Sequence, residues 1–477
     1  MPSILGANTL SSGGYTVDNS MRFNGSDSVM QRNAAGTPSS TKIWSISAWV
    51  KRCSLGSNQV YWMHQNAANH TVKFQLGFHS STDTMRIETY DGSSEYNLST
   101  NMVFRDTNAW YCILVQVDST QGTEANRYKI FVNGVQVAVT EQGSGYPTQN
   151  WDLDLGSQKI ALGRYQAASP SMYYDGYLAE VVYADGQVIA PTDIGEFDED
   201  SGIFKPKDVS ELTLGNAGFY INFSDSSDLG AATGNDFALT NLAATDQTTD
   251  TPTNNFATIN PLDNHYASAT LSEGNTKVAT NASAEAMSTS TFAMTKGRWY
   301  FEVDFISNSG NVSRQCGITP HGSQTMSGIS GKSGDVTPYT HAYSDSGNLQ
   351  TGNGSGGQTA LATLTSFTNG DIIGIYMDLE DMKSYWSKNG TLMNSGTGID
   401  LTALASNGTG HYMFYVGDNN SAAQTCEANF GNGFQSLTSA VADDNGYGAF
   451  EYSPNITGDG EAKKFYSCCT KNLAEFG

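Results

Sequence analysis

The sequence predicts an all-β protein made of two antiparallel β-sandwiches joined by an ordered connector. Three observations carry that expectation. Charged residues make up 15% of the chain, against roughly 25% in a typical soluble domain, and long exposed helices need Glu/Lys faces. Glycine is abundant, at 50 of 477 residues, and Ser, Thr and Asn crowd the segments between apolar runs. The apolar runs are short, often alternate in period two and recur regularly, as antiparallel sandwiches require. A chain of this length exceeds one core, so the pattern is expected to divide into domains.

Taken in order, residues 1–205 form the first expected sandwich. Its strands are Ser20–Phe23, Ile43–Val50, Lys73–Phe78, Met85–Tyr90, Trp110–Asp118, Lys129–Val132, Val135–Thr140, Lys159–Gly163 and Tyr177–Ala184. Asn133-Gly134 is a two-residue hairpin signal, because both turn positions want positive φ. Residues 206–264 lose the pattern, apart from one strand at Gly218–Phe223, and read as a connector. Residues 265–435 form the second expected sandwich, with strands Arg298–Ile306, Asp371–Asp378, Ser384–Lys388, Met413–Asp418 and Thr425–Phe430 and a hairpin at Asn389-Gly390. Ser323–Gly334 and Ser344–Gly357 read as surface loops, and residues 436–477 as a C-terminal tail.

Charge narrows the partners. With 24 Lys+Arg against 47 Asp+Glu the formal net charge is −23, and no basic cluster exceeds Lys51-Arg52 or Lys463-Lys464. Nucleic acid and anionic lipid are therefore disfavoured as partners. No run approaches the length of a membrane span, so no membrane insertion is expected. The N-terminus lacks the basic and apolar regions of a signal peptide. The composition suits an extracellular setting, so assembly in the cytosol and release by lysis would reconcile the two. The six cysteines are too sparse for a disulfide scaffold and show no CxxC pair, so buried free thiols are expected.

Ser20-Met-Arg-Phe-Asn-Gly25, Trp44-Ser-Ile-Ser-Ala-Trp-Val50, Trp110-Tyr-Cys-Ile-Leu-Val115, Ile130-Phe-Val-Asn-Gly134 and Gly176-Tyr-Leu-Ala-Glu180 occur in the order and spacing of a known fold family. On these residues the N-terminal block resembles the laminin-G/concanavalin-A-like jelly roll. Gly297-Arg-Trp-Tyr-Phe-Glu-Val303, Gly370-Asp-Ile-Ile-Gly374, Tyr376-Met-Asp378, Ser387-Lys-Asn-Gly390 and Ala428-Asn-Phe-Gly431 make the second block resemble a SPRY domain. The pairing, with its terminal Cys-Thr-Lys-Asn-Leu run, is similar to virion proteins of marine tailed bacteriophages. That resemblance implies a fibre, receptor-binding or capsid-surface component on the virion. Its implied partners are other virion proteins and a host-surface glycan or protein. Such appendages are commonly symmetric, so a homo-oligomer, a trimer, is expected.

The jelly roll also houses glucanases, whose Glu-x-Asp-x-(x)-Glu run places an acid and a nucleophile on one strand face. The nearest matches, Glu196-Phe-Asp198-Glu-Asp200 and Glu302-Val-Asp304, lack the final Glu, so no catalytic set is expected and the protein reads as a non-enzyme. His64, His70 and His79 have spacings that fit no common ligand pattern, and Asp152/Asp154 and Asp198/Glu199/Asp200 match no EF-hand; neither metal nor cofactor is expected. Sugars stack their C–H faces on aromatic rings and need amide or carboxylate partners. The expected ligand residues are therefore Tyr61, Trp62, Tyr146, Trp151, Tyr173 and Tyr174 in the first domain. In the second they are His321, Tyr339, His341, Tyr343 and Asp418. A receptor-binding fibre or tail appendage is the leading expectation, a capsid decoration or structural protein the alternative, and a glycan-degrading enzyme a distant third.

Overall fold

A computed structural model describes residues 14–33, 36–65, 73–152, 159–165, 170–266, 268–281, 286–310, 314–321, 340–352, 358–405, 410–418 and 422–477. The chain is all-β, with 48% strand and 6% helix, and divides into Leu10–Asn255 and Phe256–Gly477. The first unit contains two antiparallel sheets. Sheet I runs Val135–Gln136, Tyr128–Val132, Trp110–Asp118, Ile43–Arg52, Asp175–Asp185, Ser20–Asn24, Gln247–Thr248, and Phe219–Ile221 also pairs with Asp175–Asp185. Sheet II runs Val139–Gly143, Glu95–Val103, Thr84–Tyr90, Lys73–Phe78, Gln59–Gln65, Lys159–Leu162, Val29–Arg32, Ala238–Thr240.

Alternation builds the core between them. Trp44, Ile46, Ala48 and Val50 face inward from sheet I, and Phe74, Leu76 and Phe78 from sheet II. The outer face of sheet I is also apolar, which explains why Asp175–Asp185 is buried along its whole length. Trp49, Cys112, Leu114, Ala179 and Val182 pack there against Ile194, Phe204, Val209 and Tyr220. Up to Asn255 the expected connector is thus part of this unit, where it covers sheet I and adds strands to both sheets; Ile259–Tyr266 belongs to the second unit. Its fragments are short because each pairs along one edge and buries only a few side chains. The Asn133-Gly134 turn, with φ of 48° and 79°, closes its hairpin as expected.

The second unit repeats the plan. Sheet III runs Ile259–Tyr266, Ala286–Ser290, Tyr412–Asp418, Arg314–Pro320, His341–Ser344, Asn348–Gly352, Gln358–Thr363. Sheet IV runs Thr270–Ser272, Lys277–Ala279, Gln424–Asn429, Arg298–Asn308, Ile372–Asp378, Lys383–Lys388, Thr391–Leu392. Phe301, Val303, Phe305, Ile373, Ile375, Phe414 and Val416 fill the space between them. Part of the expected 344–357 loop is the strand Asn348–Gly352, and Ser323–Gly334 lies outside the described residues.

The expected tail is no appendage either. Phe450 and Phe465 pack on Tyr300, Tyr376 and Tyr385, which point outward from sheet IV. Cys469 bridges to Phe256, Tyr466 to Trp299, and Thr470–Phe476 forms a short helix. Fully burying each Phe contributes roughly 1.5–3 kcal/mol. All six cysteines are buried and unbridged.

Candidate functional site

The expected ligand aromatics of the first unit are mostly core. Tyr61, Trp62 and Tyr174 are at most 1% exposed. Trp62 stacks on Phe219 at 5.5 Å and donates from Nε1 to His64 Nδ1 at 3.0 Å, while Tyr61 packs against Phe78 and Tyr174. The reason is a β-bulge in Gln59–Gln65: the register shifts between Val60 and Trp62, so two successive residues, Tyr61 and Trp62, both turn inward. Trp151 is 9% exposed and sits 5.9 Å from Tyr96; Tyr146 and Tyr173 are half-buried. These rings support the sandwich and do not assemble into a stacking platform.

The same correction holds in the second unit. Tyr343 is buried between Phe367 and Trp386. His341 lies in a strand, 1% exposed, with Nδ1 3.3 Å from Ser384 Oγ, and burial pulls its pKa down to about 4. Asp418 is fully buried at a strand end, and His321 is half-buried. Tyr339 lies outside the described residues. Strand residues of a two-layer core face inward in alternation, and that places these side chains away from the loops.

The carboxylates weighed for catalysis have structural duties. Glu302 is fully buried; its Oε1 accepts from Tyr300 Oη and the Tyr452 amide, its Oε2 from Asn429 Nδ2 and the Glu451 amide. Asp304 accepts from Ser436 Oγ, and Asp198 accepts from the amides of Asp200 and Ser201 while pairing with Lys205. His64 is buried in the core with its pKa pulled down to about 3, by burial and then by Arg32, and His70 lies outside the described residues. Among the described residues no three His, Cys, Asp or Glu side chains gather as a metal site.

A different site emerges on the outer face of sheet II, where Gln59–Gln65, Lys73–Phe78 and Thr84–Tyr90 lie side by side. Alternation against Phe74, Leu76 and Phe78 turns Gln75 and Gly77 outward; alternation against Met85 and Ile87 does the same for Arg86 and Glu88. Pairing sets Gln75 opposite Glu88 and Gly77 opposite Arg86. The bulge brings the neighbouring backbone close over Gly77: a Cβ there would stand 2.2 Å from the Gln59 carbonyl oxygen, so only glycine fits. The result is a depression of about 110 Å³, rimmed by Asn58, His79 and Met172 and floored by Val60, Gly77 and Gln75.

Its polar groups are unusual. Gln59 and Gln75 are only 2% and 4% exposed. Gln75 Nε2 donates to Glu88 Oε2, and Arg86 Nη1 lies 3.7 Å from Glu88 Oε1. Three buried atoms then have no partner within the protein: Gln59 Oε1, Gln75 Oε1 and Arg86 Nε. Of these, Gln75 and Arg86 belong to the outward face by alternation, whereas Gln59 pairs with the core residue Phe78 and shares its inward face; water satisfies buried polar atoms of this kind in folded proteins. His79 at the rim is held below its ordinary pKa by burial and then by Arg86. Lys73–Phe78 and most of Thr84–Tyr90 were legible in the sequence; Gln59–Gln65 was not, and the depression depends on its bulge and on cross-strand pairing.

Residues 23–190 match the laminin G family described as the concanavalin A-like lectin/glucanases superfamily. None of the curated proteins matches the chain significantly. Among solved structures, the SPRY domain of human HERC1 is 16% identical, covering 37% of this chain and 98% of its own, with a TM-score of 0.29. A heptameric pentraxin from Limulus polyphemus is 11% identical, covering 48% and 96%, with a TM-score of 0.29. Domains LG4-5 of the mouse laminin α1 chain are 10% identical, covering 97% and 90%, with a TM-score of 0.31. No helix among the described residues is long and apolar enough to cross a membrane. The first unit thus carries a laminin G/concanavalin A-like jelly roll, a family whose description spans both lectins and glucanases.

Proposed function

We propose that this chain is a non-enzymatic recognition protein whose first sandwich binds a cell-surface glycan at the depression lined by Gln75, Gly77, Arg86 and Glu88. One observation carries the reading: a depression on the outer face of a lectin-type sheet, where outward-facing Gln75, Arg86 and Glu88 set an amide, a guanidinium and a carboxylate side by side. Binding is favoured over hydrolysis because Glu88 is the single carboxylate among the lining residues and is already engaged by Gln75 and Arg86. Glycoside hydrolysis uses two carboxyl groups about 5–9.5 Å apart.

The setting we propose is the surface of a tailed-phage virion, as a tail fibre or appendage that contacts the host. Its support is the order of laminin-G-like and SPRY-like sequence motifs along the chain. An assembly role on the virion, as a homo-oligomer, is favoured by a separate feature: Val135 and Phe197, 58% and 50% exposed, lie beside the Gly134 turn that packs on Phe204. The test is binding of labelled full-length protein to candidate host and non-host bacteria and to a broad glycan array. Saturable binding to host cells, competed by glycans and weakened at least tenfold by Gln75→Met with an unchanged melting temperature, is the expected result. Binding to neither cells nor array by a folded protein would overturn it in favour of the assembly role.

A further inference from the structure

We propose that Lys51, Asp250 and Asn255 form a self-modification site: Lys51 and Asn255 condense into a side-chain amide bond, Asp250 carries the protons and ammonia leaves. The proposal concerns the outer face of sheet I and does not depend on glycan recognition.

Strand pairing and one tight turn bring the three together. Lys51 lies on the outer face of sheet I, on the same side of its strand as Trp49. Trp110 and Tyr177 are its partners on the two neighbouring strands, so a ring stands on each side of it, and Nζ is 5.3 Å from the Tyr177 ring centroid. Asp250-Thr-Pro-Thr-Asn-Asn255 folds over this spot as a turn in which Thr251 and Asn254 exchange both backbone hydrogen bonds. That exchange sets residues 250 and 255 side by side. Lys51 Nζ donates to Asp250 Oδ2 at 2.7 Å and to Asn255 Oδ1 at 2.8 Å, the latter across 204 residues of chain.

Each group is placed as amide formation requires. The amine must reach the Asn255 carbonyl carbon, which is about 1.2 Å from Oδ1 and so no more than about 4 Å from Nζ. Asn255 Nδ2 donates to the Asn108 carbonyl oxygen at 2.7 Å; a carbonyl can only accept, which fixes the amide with its oxygen toward the lysine. Trp110 Nε1 donates to Asp250 Oδ1 at 3.1 Å and so keeps Oδ2 on Lys51. The Lys51 and Asp250 side chains are wholly shielded from water, while Asn255 is half-buried, which gives ammonia a way out.

The steps balance without a co-reactant. Asp250 takes one proton from the Lys51 ammonium, which turns two buried charges into a neutral amine and a neutral acid. The Nζ lone pair forms a bond to Asn255 Cγ. As the carbonyl re-forms, the Cγ–Nδ2 bond breaks; Asp250 hands its proton to the departing nitrogen and takes a second one from Nζ. Ammonia leaves, Asp250 ends protonated beside the new amide, and no buried charge remains. Fixed contact between the reactants replaces the encounter that makes this reaction slow between separate amines and amides. The ion pair is the reactant state, and the bond pins the last residue of the first unit to the strand Ile43–Arg52.

The experiment is intact-mass spectrometry of the denatured full-length protein, followed by tandem mass spectrometry of a tryptic digest. The expected mass is one ammonia below that of the sequence. The digest is expected to contain a branched peptide joining the segments around Lys51 and Asn255, with cleavage after Lys51 lost. Lys51→Arg, which keeps a cation beside Asp250 without an amine, and, separately, Asn255→Ala are each expected to show their full sequence mass. A chain that keeps its sequence mass, both freshly purified and after prolonged incubation in native buffer, would overturn the proposal and leave an ordinary buried ion pair. Ammonia loss that persists in Lys51→Arg would also overturn it, since that marks an asparagine closing on its own backbone. The digest of the unmodified chain needs no variant, so the test stands even if a substitution prevents folding.

Discussion

Each sandwich buries the outer face of one sheet under a segment with weak strand character, and the two differ in how much of the fastening falls to aromatic rings. On sheet I the segment ending near Asn255 is held by a buried ion pair, Lys51 Nζ to Asp250 Oδ2 at 2.7 Å, with both side chains fully buried. Trp110 Nε1 donates to Asp250 Oδ1, and Lys51 donates also to Asn255 Oδ1. A second fastening is Glu180, which accepts from Tyr220 Oη at 2.7 Å and Tyr15 Oη at 3.1 Å. On sheet IV the tail is held both by rings, Phe450 against Tyr300 at 4.8 Å and Phe465 against Tyr376 at 5.2 Å, and by charge, with Lys463 Nζ 3.3 Å from the buried Asp378 Oδ2 and Glu302 accepting the Glu451 and Tyr452 amides. A charge-based clasp is all-or-none, because either half alone is a buried uncompensated charge. A clasp of rings loses strength in proportion to the surface removed.

That contrast can be broken first at the ion pair. Lys51→Met is expected to destabilise the first unit by about 3–5 kcal/mol, since Asp250 is left charged and buried. Adding Asp250→Leu should recover most of the loss, and denaturant unfolding of the single and double variants measures both. Phe450→Ala is expected to cost the second unit a similar or somewhat smaller amount, roughly 3–5 kcal/mol at full burial, but no second substitution at its neighbours should restore it. Hydrogen exchange at residues 441–467 is the readout.

Acidity sharpens the comparison. Burial pushes both Glu180 and Glu302 up to about 7 from an ordinary 4.5; the hydrogen bonds each accepts oppose this without cancelling it. In the folded chain each carboxyl keeps its proton to about pH 7, whereas the unfolded chain releases it near 4.5. Each group therefore makes the fold less stable as pH rises from about 4.5 to 7, and adds no slope above that window. Melting temperatures measured across pH 5–8 should fall over this range. Glu180→Gln should flatten the dependence of the first unit and Glu302→Gln that of the second. The smallest effect is Tyr220→Phe, expected to cost about 1 kcal/mol by removing one hydrogen bond to Glu180. Its measure is the urea midpoint.

Much of the fold was legible residue by residue. Lys73–Phe78 and Trp110–Asp118 have the bounds their alternation and apolar run imply, and both Asn-Gly turns close hairpins with positive φ at each position. Ile259–Tyr266, at the end of the expected connector, is a strand of the second unit, while residues 206–255 and 436–477 read as connector and tail because each binds by a few side chains to a face already built. Such binding imposes no periodicity. The ligand aromatics failed for a related reason. A single extra residue at Tyr61 turns two rings inward, and a bulge leaves no mark in a sequence read by period.

By itself, then, the sequence determined the all-β two-sandwich class, the strands with clear alternation and the lack of a basic run, because alternation, turn chemistry and charge count are local or additive properties. Tertiary structure decided which faces are covered, which carboxylates become clasps and where polar atoms are left without partners. Those outcomes depend on cross-strand register. The depression exists because Glu88, thirteen residues beyond Gln75, takes that residue's amide nitrogen, and because the bulge brings the Gln59 backbone over Gly77.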